Sequence, residues 1–272
     1  GTDKPNMDTV PAMALFSAKK PLKRNVTWQY EGPVLADFGH QLSRTYECPD
    51  LFQLDGKTVA IGALMHYRDK QGRFQQVRWY VEGIVFGWYT DFPAMRVEKP
   101  CIANGMMSLP RELHVRDGRL ISRPVKEAYE QLLGDRLEAH ADENGTFFIV
   151  PNNAYYTDMH LADDNDFTML IAAGTNTANG NSMELQLQRR NGVTRLVTKG
   201  TVVDDVDFDS GITDVRRVEI FFDRNVVEVF LNNGEAAGSM LFQGADGDGE
   251  FRFVADGKVD CVDVRVLDGI WR

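Results

Sequence analysis

Cysteine is scarce in this chain: its 272 residues include only Cys48, Cys101 and Cys261. An odd, sparse set builds no disulfide framework, and without a Cys-x-x-Cys pair no zinc site is expected. Such usage suits a reducing compartment. The opening GTDKPNMDTV has neither a basic start nor an apolar core, so no signal peptide is read there and a cytoplasmic location is the expectation. No apolar run approaches the ~20 residues that span a bilayer, which leaves no membrane partner to expect. The five histidines, His40, His66, His114, His140 and His160, lie in unrelated contexts and read as ordinary surface or partly buried residues. Neither a metal nor any other cofactor is expected. An excess of basic charge is also lacking: 30 Lys and Arg against 40 Asp and Glu give a net charge of -10. Such a surface repels phosphate backbones and excludes nucleic acid as a partner. The acidic run Asp204, Asp205, Asp207 and Asp209 has no EF-hand spacing and reads as a solvated loop rather than a calcium site.

What is present is strand pattern. Apolar alternation recurs in short bursts between Gly, Asn and Asp turns, over 58–65, 75–81, 145–150, 167–172, 183–188, 193–197, 217–222, 226–231, 251–254 and 261–267. One segment, Val125 to Leu137, reads as a helix, with Val125, Ala128, Leu132 and Leu133 near one face and Gly134 close to its end. Before it lie strands interrupted by long loops; after it, strands arrive about every ten residues, as in an antiparallel sandwich. The clearest hairpin is RVEIFFDRNVVEVFLNNGE, residues 217–235. Asp223, Arg224 and Asn225 make its turn, placing Val218, Ile220 and Phe222 on the same side as Val227, Val229 and Leu231.

Three segments carry chemistry. The first is Tyr46-Glu47-Cys48-Pro49-Asp50-Leu51-Phe52. Glu47 sits between an aromatic and a cysteine, just before a proline that forces extended backbone. Such surroundings can desolvate a carboxyl and raise its pKa toward the range of a general acid. Taken alone, a glutamate paired with a neighbour such as Arg44 is the plainer reading. The second segment is Met106-Met107-Ser108-Leu109-Pro110-Arg111-Glu112-Leu113, followed by Asp117-Gly118-Arg119-Leu120 and Pro124-Val125-Lys126-Glu127. The third is the 217–235 hairpin, followed by Val266-Leu267-Asp268-Gly269-Ile270-Trp271.

In this order the three segments resemble glycoside hydrolase family 32, the invertases, levanases and sucrose-6-phosphate hydrolases. The resemblance runs from about Ala14 to Trp271. It implies an all-β chain: part of a five-bladed β-propeller over 1–124, a helical linker over 125–136 and a β-sandwich over 137–272. It also implies hydrolysis of terminal β-D-fructofuranosides (sucrose, sucrose 6-phosphate or fructo-oligosaccharides) with retention, so that the expected partner is a small carbohydrate. Residue by residue, Glu47 matches the general acid/base, which protonates the leaving glycosidic oxygen and then activates water. Cys48 matches the cysteine that tunes that carboxyl. Tyr46 and Trp88 look like aromatic walls of the fructosyl site, although Trp88 by itself reads equally as core packing. Arg111 and Glu112 look structural, tying the last blade to the helix.

The pattern also breaks. A retaining glycosidase needs two carboxylates about 5–5.5 Å apart across the sugar. The family carries its nucleophile in a W-M-N-D-P-N-G segment and a second, sugar-binding aspartate in an R-D-P segment. The sequence contains neither, and no Asp-Pro dipeptide at all; no nucleophile is identified. The first two blades are therefore expected to be absent, and a further stretch of the family pattern is missing between Val81 and Glu82. Asp50 and Asp91 are the nearest candidates to replace the nucleophile, but Asp50 reads as a structural partner in the family pattern. A truncated gene product, a deletion form and a piece of a longer chain all fit. Three functional readings follow: a fructofuranoside hydrolase, whole or in part; a non-catalytic carbohydrate-binding protein; and an inactive remnant that folds through its sandwich. A basic patch for a 6-phosphate would need Arg or Lys near the pocket, and Arg44, Arg68 and Arg96 have no assigned place.

Overall fold

The alternating segments become antiparallel strands in a computed structural model, which describes residues 12–19, 26–36, 45–65, 67–68, 74–75, 88–89, 106–161, 166–176, 181–200, 207–209, 212–224, 226–241, 248–254 and 259–269. Two compact units divide the chain, Gly1–Gly87 and Trp88–Arg272.

In the first unit the described strands form three two-stranded ribbons: β1 (Ala12–Ser17) with β2 (Gln29–Ala36), β3 (Thr45–Leu54) with β4 (Lys57–Met65), and β5 (Tyr67–Arg68) with β6 (Phe74–Gln75). β1 alternates outward and inward, with Met13 buried and Phe16 exposed. Phe16 pairs across the ribbon with Tyr30. The strand expected over 75–81 falls outside the described residues beyond Gln75, as does the break expected between Val81 and Glu82.

The second unit opens with two more ribbons, β7 (Trp88–Tyr89) with β8 (Met106–Met107), and β9 (Arg111–Arg116) with β10 (Arg119–Pro124). The β9–β10 turn places Asp117 and Gly118 at φ 51° and 74°, the paired left-handed geometry of a two-residue hairpin loop. A single short helix, α1 (Lys126–Leu132), follows. It stops five residues before the expected end. Leu133 is already extended, at φ -84° and ψ 111°, and opens β11 (Leu133–Arg136), where it pairs with Leu267. Gly134 therefore serves a close strand approach rather than a helix cap: a Cβ there would lie 3.0 Å from Asp268 Oδ1 and 3.3 Å from the Val266 carbonyl oxygen.

The rest is two antiparallel sheets. One has seven strands in the order β12 (His140–Asp142), β13 (Gly145–Val150), β22 (Gly249–Val254), β15 (Phe167–Asn176), β16 (Asn181–Arg190), β17 (Val193–Gly200), β18 (Asp207–Asp209). The other has six, in the order β11, β23 (Val259–Leu267), β14 (Ala154–Leu161), β19 (Arg217–Asp223), β20 (Val226–Leu231), β21 (Ala236–Leu241). The sheets face each other across one core. Val218 pairs with Leu231, Ile220 with Val229 and Phe222 with Val227, so the two triplets of the 217–235 hairpin share a face as the alternation predicts. All six enter that core beside Tyr155, Met169, Ile171, Leu187 and Phe251 from both sheets. Tyr155 stitches the layers: its ring lies 5.1 Å from that of Phe251, and its hydroxyl donates to the Ile171 carbonyl at 2.6 Å. Full burial pushes that phenol well above its ordinary value, so it stays a donor. Each large side chain buried in this layer contributes roughly 1.5–3 kcal/mol.

The hairpin's other face is buried too. Tyr156, Phe221 and Phe230 form a second cluster with Leu109, Tyr129, Leu133 and Leu267. The 109–133 segment is thus packed on the outside of the six-stranded sheet.

Candidate functional site

β3 and β4 close through Asp55 and Gly56, at φ 49° and 72°, between the pair Leu54 and Lys57. From that turn the register runs evenly to Asp50, paired with Ile61. The next pair is Glu47 with Ala63, so β3 spends three steps where β4 spends two. The extra residue falls at Cys48-Pro49. Proline has no N–H to give to the ladder, and a bulge is where a strand interior tolerates it. The Asp50 carboxylate steadies the exit by accepting the Leu51 N–H at 2.8 Å. Glu47 therefore occupies the first paired position beyond a bulge, a device that re-aims a side chain and is enriched beside active sites. Tyr46, Glu47 and Cys48 are consecutive on this one strand, while their side chains lie outside the described part of the structure.

Trp88 is placed on β7 of the second unit, paired with Met107. Its side chain, too, lies outside the described part, and Asp91, Arg44 and Arg96 lie outside the described residues altogether. The structure thus brings Tyr46, Glu47 and Cys48 together on one bulged strand and puts Trp88 on a strand of the other unit.

One cluster was not read from the sequence. Met107 leads through Ser108, Leu109 and Pro110 to Arg111, and this segment is held on the outer face of the six-stranded sheet. The Glu228 carboxylate accepts the Leu109 N–H at 2.6 Å and the Arg111 Nε at 3.1 Å, and forms an ion pair with Arg111 Nη2. Arg111 Nη2 also donates to Ser239 Oγ, and the guanidinium carbon sits 4.8 Å over the Phe230 ring. Arg111 is thus structural, as expected, and it is held by Glu228 on β20 and Ser239 on β21. Glu112 pairs with Arg123 across the β9–β10 hairpin.

A second buried carboxylate stands on the neighbouring strand. Glu219 Oε1 accepts the hydroxyls of Tyr156 at 3.0 Å and Tyr129 at 3.1 Å, and lies 3.1 Å from Arg217 Nη2. Burial pushes the Glu219 carboxyl above its ordinary value; the Arg217 charge and the two hydroxyls pull it back, while Asp158 adds to the rise. Arg217 is itself held by a two-pronged pair with Asp158, both contacts at 2.8 Å. Both glutamates fall at alternate positions of strands whose other faces are apolar, where the simplest pattern points them at water. The signal that could have found them is distant: the S-L-P-R segment needs an acidic partner.

Comparison with known proteins bears on the whole chain. Residues 158–268 match the glycosyl hydrolases family 32 C-terminal domain. A solved glycoside hydrolase family 32 protein from Bifidobacterium adolescentis is 64% identical over 100% of this chain, with a TM-score of 0.87. The chain spans 49% of that protein's length. A Bombyx mori family 32 beta-fructofuranosidase (TM-score 0.60, 16% identity) and a sucrose-6-phosphate hydrolase from Lactobacillus gasseri (TM-score 0.58, 14% identity) each match 89% of this chain and 58% of their own, a likeness of fold alone. With residues 158–268 matching the C-terminal model of that family and 64% identity to a family 32 protein over all of this chain, the chain resembles the C-terminal portion of glycoside hydrolase family 32.

Proposed function

We propose that this chain is the C-terminal part of a fructofuranoside-cleaving machine, with Glu47 as its general acid/base. The observation that carries the reading is the 64% identity along all of the chain to a family 32 protein, taken with the Tyr46-to-Phe52 motif on a strand bulged next to Glu47. In this reading 1–124 is part of a five-bladed propeller and 137–272 the sandwich. The substrate is a small terminal β-D-fructofuranoside: sucrose, sucrose 6-phosphate or a fructo-oligosaccharide. Glu47 protonates the departing glycosidic oxygen and in the second half-reaction takes a proton from water. Cys48 tunes that carboxyl, and Tyr46 and Trp88 wall the sugar. Double displacement also needs a carboxylate nucleophile across the ring. With no Asp-Pro segment in the 272 residues, this polypeptide by itself supplies the proton and no nucleophile.

The test is sucrose and inulin hydrolysis by the purified chain beside a Glu47→Ala control. The expected result is no turnover above that control. Fructose release that the substitution abolishes would overturn the idea that the nucleophile is missing while supporting Glu47. A second reading, sugar binding without turnover, is favoured by the same missing segment; calorimetry with fructose and sucrose should then show saturable binding weakened by Trp88→Ala. No heat with either sugar would count against it.

A further inference from the structure

Glu228 is 2% exposed and its partner Arg111 9%, and the two are brought together from 117 residues apart in sequence. Burying an ion pair in this way adds little stability over two well-packed apolar side chains, because desolvation offsets the attraction. What it adds is direction. The Glu228 carboxylate takes one backbone donor, the Leu109 N–H, and a guanidinium fork from Arg111, so it fixes the main chain at Leu109 and the side chain at Arg111 together. The connection onward is short and stiff. Ser108 is buried, and its hydroxyl donates to the Leu109 carbonyl at 3.0 Å. Pro110 locks its own φ, and its carbonyl accepts the Val125 N–H at 3.0 Å. Met107, two residues before Leu109 and hence within about 7 Å of chain, is the residue paired with Trp88. Further along, Gly234 accepts the Ser122 N–H at 3.0 Å, and Tyr129 donates to Glu219, so the segment is pinned at three places and has little slack.

We infer that Glu228, on the outer face of the six-stranded sheet, is a positioning residue for the sugar site: through Leu109, Arg111 and Met107 it sets the strand that carries Trp88. The inference rests on the reading of Trp88 as a wall of the fructosyl site. On that reading the sheet is the template against which a binding strand is laid, and Glu228 acts on the sugar only through Trp88.

The test uses the full 272-residue chain labelled with 5-fluorotryptophan, the Trp88 resonance being assigned with Trp88→Phe. Glu228→Gln is expected to shift or broaden the Trp88 signal while leaving that of Trp28 in place, and Glu112→Gln, which alters the exposed contacts with Arg123 and His114, is expected to move neither. Fructose titrated into the wild type should displace the Trp88 signal, with affinity about tenfold weaker in Glu228→Gln, the change that about 1.4 kcal/mol of lost binding energy represents. An unmoved Trp88 signal in folded Glu228→Gln overturns the inference. A Trp88 signal that responds to Glu228→Gln but not to fructose upholds the positioning of the strand and removes the sugar-site reading instead. Should Glu228→Gln not fold, the paired replacement Arg111→Met with Glu228→Met keeps volume without charge and is read in the same way. Hydrogen exchange on the wild type decides independently of any variant: the Leu109 amide should be as protected as those of β20, and exchange at the rate of an exposed amide would overturn the inference.

Discussion

The ribbon of β1 and β2 and the centre of the six-stranded sheet use the same residue types to different ends. Phe16 and Tyr30 are cross-strand partners with rings 5.3 Å apart, yet they are 52% and 59% exposed. Tyr155 and Phe222, cross-strand partners in β14 and β19 with rings 5.6 Å apart, are both 0% exposed. Ring contact is therefore not what separates the two regions. The second pair has a further sheet over it, and the described strands of the first unit form only two-stranded ribbons. A lone ribbon is marginal in water, and a second layer is what turns an aromatic pair into a core.

The largest effect follows from that second layer. Phe222→Ala removes a ring packed between the sheets, at a cost of about 3–5 kcal/mol for the lost transfer energy and the cavity left behind. Equilibrium unfolding in urea should show the unfolding free energy of the second unit falling by that amount. A loss below about 1 kcal/mol would mean that the two sheets do not share the core described here.

A smaller effect separates the two faces of β19. Facing the second sheet, its residues are apolar; facing the 109–133 segment, Glu219 is a carboxyl among Arg217, Asp158, Tyr129 and Tyr156. Its pKa is raised by burial in the folded protein, so the folded state holds the proton more tightly than the unfolded one. That contribution is complete below the ordinary carboxylate range and is lost as pH rises through the raised folded value. Glu219→Gln keeps a neutral side chain at every pH, so relative to wild type it should gain stability as pH rises above the ordinary carboxylate range. Urea midpoints of both proteins across that rise check this; a difference that stays flat or runs the other way defeats it.

These outcomes also mark what the sequence could disclose. The 217–235 hairpin was legible because each strand has one apolar face in strict alternation. β14 was not: Ala154 to Leu161 mixes Tyr, Thr, Asp and His, and burial on both faces erases the alternation. β21 was missed for a plainer reason, since its first four residues, Ala236, Ala237, Gly238 and Ser239, are small and carry little pattern. The helix was overextended because Leu133 continues the apolar spacing of α1 while belonging to the next strand. At the candidate site, Glu47 was legible only through the order of three segments, and Pro49 marked the place of the bulge without announcing it. Glu219 and Glu228 were illegible, because their partners on the 109–133 segment are far away in sequence.

The smallest effect puts the opening comparison under most strain. Phe16→Ala removes a ring that water already reaches, leaving mainly the contact with Tyr30 to lose. The expected cost is below about 1 kcal/mol, several-fold less than for Phe222→Ala, and the same urea unfolding measures it. If the two substitutions cost alike, Phe16 is buried in solution, and the outer face of the β1–β2 ribbon is then covered by something other than the strands described here. Trp28, 53% exposed next to Gln29 at the start of β2, supplies the cross-check: quenching by iodide should be ready if the face is open and weak if it is covered. Ready quenching together with a small Phe16→Ala cost would leave the contrast as drawn, an aromatic pair without a second layer against one that has it.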